Sequence, residues 1–180
     1  MYSGTGSVHG NIRFRNVAGQ SDADGPGLLW FKNPNAADTA YVNGWPTGIN
    51  VDFLGSKLVA PSLTGKTLLG NNPAVSPAVN ALLALSDGGL TGPLSNLGSI
   101  GLGGAVAVYG PPSGGTGAQS LGASFRLTGA LQGSFLSPVT GQTTAFKGVV
   151  SQKTQRAAGY FLSPSGTGKL ESGAVTITAQ

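Results

Sequence analysis

The 180-residue chain has no cysteine, one histidine and 16 charged residues. Without cysteine, disulfides and thiolate chemistry are excluded. With His9 as the only histidine, multi-histidine zinc and non-haem iron sites are excluded as well. Charged residues make up 9% of the chain, against about 25% in an ordinary soluble domain. Ten basic and six acidic residues leave a net charge of +4. The cations are scattered along the sequence: Arg13 and Arg15 are close, and Lys147, Lys153 and Arg156 form the only other loose group. A nucleic-acid binder carries a denser basic stripe interleaved with aromatics, so no nucleic-acid partner is expected. No apolar run approaches the roughly 18 residues of a membrane helix, so no transmembrane segment is expected. The first residues also lack the basic and apolar regions of a signal peptide.

What is present points to β structure. Gly (31) and Pro (11) are abundant, and both disfavour regular helix. Leu, Ile, Val and Phe together number 44, enough to build a core. Period-two alternation is the strongest local signal, because successive strand side chains point to opposite faces. From Val8 to Phe14 one face reads Val8, Gly10, Ile12, Phe14 and the other His9, Asn11, Arg13. From Ser124 to Phe135 the pattern holds for twelve residues, which predicts one long strand in a barrel or a strongly coiled sheet. Shorter runs occur at 49–53 and 173–178, and Leu28–Lys32 and Ala145–Val150 read as more fully buried strands.

Turn signals separate these runs at Asp24–Gly27, Asn43–Pro46, Ser137–Gly141 and Ser163–Gly166, the third reading as a hairpin loop. Pro111–Gly117 reads as a mobile loop. Ser76–Leu85 supports a short helix, with Ser76 as N-cap and Pro77 after it, and a strand equally well. A faint internal repeat relates Gly6–Gly10 to Gly129–Gly133, each followed by a Phe-Lys pair, at Phe31-Lys32 and Phe146-Lys147. The expected fold is all-β: an antiparallel barrel or strongly curled sandwich in two pseudo-symmetric halves, with at most one short helix. One domain is expected over residues 1–180, with a first half at 1–60, a Gly/Pro-rich middle at 61–120 and a second half at 121–180.

Four segments, Thr128–Phe135, Pro138–Gly141, Phe146–Val150 and Gly159–Leu162, together carry a GSFxxPxTG…FKGVV…GYFL pattern. This resembles the closing module of large secreted proteins from Verrucomicrobia and related bacteria, and Tyr2–Val8 and Gly48–Ser56 resemble its earlier parts. Gln142 stands where that family usually has Lys, and Ser151 where it has Leu. The resemblance implies a β-rich extracellular or cell-surface module with no established activity and no catalytic residues to carry over. In that family further strands precede the segment matching Tyr2. The resemblance therefore implies an unpaired edge near the start of this chain, and a homo-oligomer formed through it.

The chemistry-bearing motifs are sparse. Leu97-Gly98-Ser99-Ile100-Gly101 fails the nucleophile-elbow pattern at its first position. Gly65-Lys66-Thr67 lacks the earlier glycine of a phosphate loop, since Ala60 stands there. Asp22 and Asp24, before Gly25, offer hard oxygen ligands on a turn, so calcium is the one candidate cofactor; Asp38, Asp52 or carbonyls would have to complete its shell. A solvated turn is the simpler reading of the same residues. Trp30, Tyr41 and Trp45 form a candidate ligand platform or, more simply, a cap on the core.

Three functions follow from these residues. The first is a non-catalytic structural or binding module of an exported bacterial protein. The second is a small calcium-assisted hydrolase of an ester or lactone, with Asp22 and Asp24 holding the metal and His9 or Asp52 as base. The third is a carbohydrate-binding module using Trp30, Tyr41 and Trp45.

Overall fold

The computed structural model describes residues 6–18, 20–73, 79–164 and 169–180. Tyr2–Thr5, Ser76–Pro77 and Ser165–Gly166 lie outside the described residues. The chain is all-β and antiparallel, and it divides into two compact units, Met1–Ser56 and Lys57–Gln180.

The first unit is a four-stranded sheet built from β1 (Gly6–His9), β2 (Arg13–Phe14), β3 (Ala23–Lys32) and β4 (Trp45–Gly55). Strand β3 is central, with β4 along one side and β1 and β2 sharing the other. The alternation from Val8 to Phe14 is thus split between two short strands rather than carried by one. The break falls at Gly10, whose φ of 149° and contact with Leu28 leave no room for a side chain: a Cβ there would lie 2.5 Å from Leu28 Cδ2. The expected turn at Asp24–Gly27 is a bulge inside β3, where the register with β4 shifts between Gly25 and Leu28.

The second unit is a closed barrel of eight strands: β5 (Ala81–Asp87), β6 (Leu94–Ile100), β7 (Ala105–Val108), β8 (Gln119–Phe125), β9 (Ala130–Leu136), β10 (Thr143–Ser151), β11 (Arg156–Pro164) and β12 (Leu170–Ala179). Each strand pairs with the next, and β12 returns to β5. The segment open to helix or strand is therefore strand from Ala81 onward. The region expected as a Gly/Pro-rich middle supplies β5, β6, β7 and the start of β8. The two matching stretches do not close one barrel together, because Gly6–Gly10 belongs to the separate sheet. The twelve-residue alternation at 124–135 is a hairpin. A tight turn at 126–129, with Gly129 at φ 83°, reverses the chain without disturbing the inward–outward parity. The predicted hairpin loop at Ser137–Gly141 joins β9 to β10, with the Ser137 amide donating to the Gln142 carbonyl.

The barrel interior is filled by side chains in a large-against-small pattern. Phe146 and Phe161 are register neighbours, flanked by Gly133 on one side and Gly173 on the other. Two residues along each strand, Gly148 faces Gly159. A Cβ on Gly133 would lie 2.2 Å from the Phe146 ring, and one on Gly148 would lie 2.4 Å from the Ala158 carbonyl oxygen. An eight-stranded barrel is just wide enough for its side chains, so adjacent phenylalanines fit only where neighbours have none. The sequence triplets Gly133-Ser134-Phe135, Phe146-Lys147-Gly148 and Gly159-Tyr160-Phe161 are this packing rule in linear form. Phe135 completes it with an edge-on contact to Phe161, ring centroids 5.0 Å apart.

One end of the barrel is plugged. The segment after Lys57 includes a single helical turn at Pro61–Thr64 and buries Leu68 and Leu69 completely. The Gln152 side chain clamps it in place, accepting from the Val59 amide (2.7 Å) and donating to the Val59 carbonyl (2.8 Å). Among the described residues no helix is long and apolar enough to cross a membrane.

Candidate functional site

In the first unit the β3 alternation puts Trp30 and Lys32 on one face, with Trp45 opposite Lys32 on β4 and Val8 opposite Trp30 on β1. Trp30 and Trp45 meet edge to face at 4.8 Å, and Tyr41 meets Trp45 in the same way at 5.3 Å. The three expected platform residues are thus gathered, each half-buried. Their rings interlock at 75–80° instead of lying coplanar. Edge-to-face packing of this kind builds a small aromatic cluster and does not present one flat stacking surface.

Beneath them sits a feature the sequence did not announce. Lys32 is 2% exposed, and its ammonium donates to the Asp38 carboxylate at 2.5 Å and to the Tyr41 carbonyl at 2.9 Å. Asn35 donates to the other Asp38 oxygen at 2.9 Å. The 33–44 loop therefore folds back over the last residue of β3. Gly44 permits this approach: it has φ 51°, and a Cβ there would lie 2.2 Å from the Lys32 carbonyl oxygen. A buried lysine at the end of a Leu-Leu-Trp-Phe run was the available signal, since such an ammonium needs a carboxylate partner.

The other expected site residues lie on the same sheet or, for Asp22, just before β3, and do not converge on one point. Asp24 faces Arg13 in register, and its carboxylate is bonded by the Arg15 guanidinium, with Arg13 Nε 3.6 Å from its other oxygen. Two guanidiniums on one carboxylate compete with any divalent cation there. Asp22 holds the same corner through its carbonyl, which accepts from the Arg15 amide at 2.7 Å. No group of three or more His, Asp or Glu gathers into a metal site among the described residues. Asp52 accepts from the Gly27 amide at 2.9 Å and so stabilises the β3 bulge. His9 lies opposite Leu29 with its ring edge-on to Phe31 at 5.2 Å, and no hydrogen bond links it to Asp52 among the described residues.

In the barrel, the buried polar groups are tied to backbone. Asn96 points inward from β6; it donates to the Tyr109 carbonyl and accepts from the Ala118 amide, each at 2.8 Å. It thereby holds both ends of the 109–118 loop, which was expected to be mobile. Asn80 serves the Ile100 amide and carbonyl in the same manner at the other end. Alternation could have flagged Asn96, the polar residue at an inward position between Leu94 and Gly98. A cleft of about 330 Å³ lies on the outer face of β10 and β11 beside Thr143, Lys147, Tyr160 and Leu162. Another of about 380 Å³ lies at the end of the barrel opposite the plug, beside Leu94, Gln119 and Ser137. No protein-family model, curated protein or solved structure matches the chain.

Proposed function

We propose that this chain is a non-catalytic structural or binding module of an exported bacterial protein, located outside the cell or on its surface, as the family resemblance implies. The observation that carries the reading is the use made of the polar groups. Asp24 is held by two arginines, Asp52 by a bulge amide, Asp38 by Lys32, and the barrel lumen is filled by Phe135, Phe146 and Phe161. A catalytic group must be oriented at a substrate and backed by a partner; these side chains are directed at the protein's own backbone and cations. The test is a panel of ester and lactone substrates assayed with and without a calcium chelator. Background rates throughout are expected. Turnover that disappears on chelation and again in Asp24→Ala would establish the calcium-assisted hydrolase instead.

Self-association belongs to the same reading. Strand β4 is eleven residues long and pairs only with β3 among the described residues, and β1 likewise pairs only with β3. Their outer edges offer backbone groups for strand addition by a second copy. A homo-oligomeric mass in light scattering at micromolar concentration is expected; a monomeric mass would remove this element. Carbohydrate binding is favoured by one specific observation, the convergence of Trp30, Tyr41 and Trp45. Glycan-array binding that is lost in Trp45→Ala would make it the primary function.

A further inference from the structure

Residues 57–180 carry seven lysines and arginines against two acidic residues, whereas residues 1–56 carry three against four. Lys147 lies midway along β10; the barrel topology sorts the other charges by end. Lys57 and Lys66 come from the plugging segment, Arg126 opens the β8–β9 turn, Lys153 lies in the turn after β10, and Arg156 starts β11. All five sit at the plugged end. Both acidic residues of the unit, Asp87 at the end of β5 and Glu171 at the start of β12, lie at the opposite end, together with Lys169.

The plugged end also displays apolar loop tips. Leu102, in the β6–β7 loop, is 47% exposed, and Leu127, in the β8–β9 turn, is 62% exposed. Val59 in the plug is 38% exposed. No Phe, Tyr or Trp occurs in the segments that form this end, residues 57–73, 101–104, 126–129 and 152–156. Single-stranded nucleic acid is held by stacking on aromatics, and a soluble polyanion has no use for protruding leucines. A lipid surface uses both features: cations attract anionic headgroups, and apolar tips enter the interfacial layer.

We infer that the plugged end of the barrel is a docking surface for an anionic phospholipid bilayer, with Lys57, Lys66, Arg126, Lys153 and Arg156 contacting headgroups and Leu102 and Leu127 inserting. The inference rests on the reading of the chain as a binding module. Its test is a binding measurement independent of the turnover assay, so the two can fail separately. The full chain is co-sedimented with vesicles of phosphatidylcholine alone and of an equimolar phosphatidylcholine–phosphatidylserine mixture. Binding to the mixed vesicles only is expected, with release near 1 M salt, where the Debye length is about 3 Å.

Each juxtamembrane cation changes partitioning about fivefold. Arg126→Gln combined with Arg156→Gln should therefore lower binding about twenty-fivefold, and Leu127→Ser about tenfold. Lys169→Gln, at the far end, should leave binding unchanged. Lys66→Gln replaces the arginine pair if their thermal melt shows unfolding, with about a fivefold loss expected. Equal binding to both vesicle types overturns the inference, as does wild-type binding by the charge variants. An equal loss in Lys169→Gln would show that net charge alone acts. Leu127→Ser binding as wild type, together with equally tight binding of heparin or duplex DNA, would show a general polyanion patch.

Discussion

The Lys32–Asp38 pair makes an asymmetric prediction. Removing one partner of a buried ion pair costs about 3–5 kcal/mol, because the remaining charge is left uncompensated. Here the two partners differ in exposure: Lys32 is 2% exposed and Asp38 is 31% exposed. Asp38→Ala takes the carboxylate away from the buried ammonium, which keeps its bond to the Tyr41 carbonyl. Water reaching through the Asp38 position reduces the penalty to about 2–3 kcal/mol. Lys32→Met keeps the aliphatic stem in place and leaves a carboxylate that is partly hydrated and still bonded by Asn35, so it should cost about 1 kcal/mol or less. The double variant should be close to Lys32→Met alone, because no buried charge is left in either. Both tryptophans of the chain, Trp30 and Trp45, lie in the first unit beside the pair. Urea unfolding followed by tryptophan fluorescence therefore reports this unit selectively. Asp38→Ala proving no more harmful than Lys32→Met would refute the reasoning, since it would mean that the ammonium is solvated.

Gly133→Ala should destabilise the barrel by about 2–3 kcal/mol, since the new methyl meets both the Phe146 ring and the Gly122 carbonyl oxygen. A fall in the far-ultraviolet circular dichroism melting temperature checks this, and Phe146→Leu in the same background should recover part of the loss. Asn96→Ala leaves the Ala118 amide and the Tyr109 carbonyl without their partner and should cost about 2 kcal/mol. Hydrogen exchange should then accelerate across 109–118 ahead of the strands. Gln152→Ala removes both bonds to Val59, and its effect should appear as faster exchange at residues 57–60 with little change elsewhere.

The candidate site was legible only as a list of residue types. Trp30, Tyr41 and Trp45 could be named from composition and turn position, and the fold does bring them together. Asp22, Asp24, Asp52 and His9 could be named too. Their partners could not, because Asp24 meets Arg15 and Asp52 meets Gly27 only through strand pairing and a bulge that alternation does not specify. The long alternation at 124–135 shows the limit most clearly. A four-residue turn keeps side-chain parity, so a hairpin and a single strand write the same pattern.

The order of residues by itself determined the all-β antiparallel character, because inward and outward positions must alternate wherever one face of a strand is buried. It also set the Gly–Phe complementarity of the barrel, which is a local rule written two residues apart. Which strands would close on one another was a tertiary decision. Alternation assigns faces but not partners, so whether residues 6–14 joined the barrel or a sheet of their own depended on long-range register. The same closure gathered Lys57, Lys66, Arg126, Lys153 and Arg156, which are spread over a hundred positions of chain, onto one end. Each antiparallel crossing returns the strand ends to the same two rims, so charges far apart in sequence become neighbours in space.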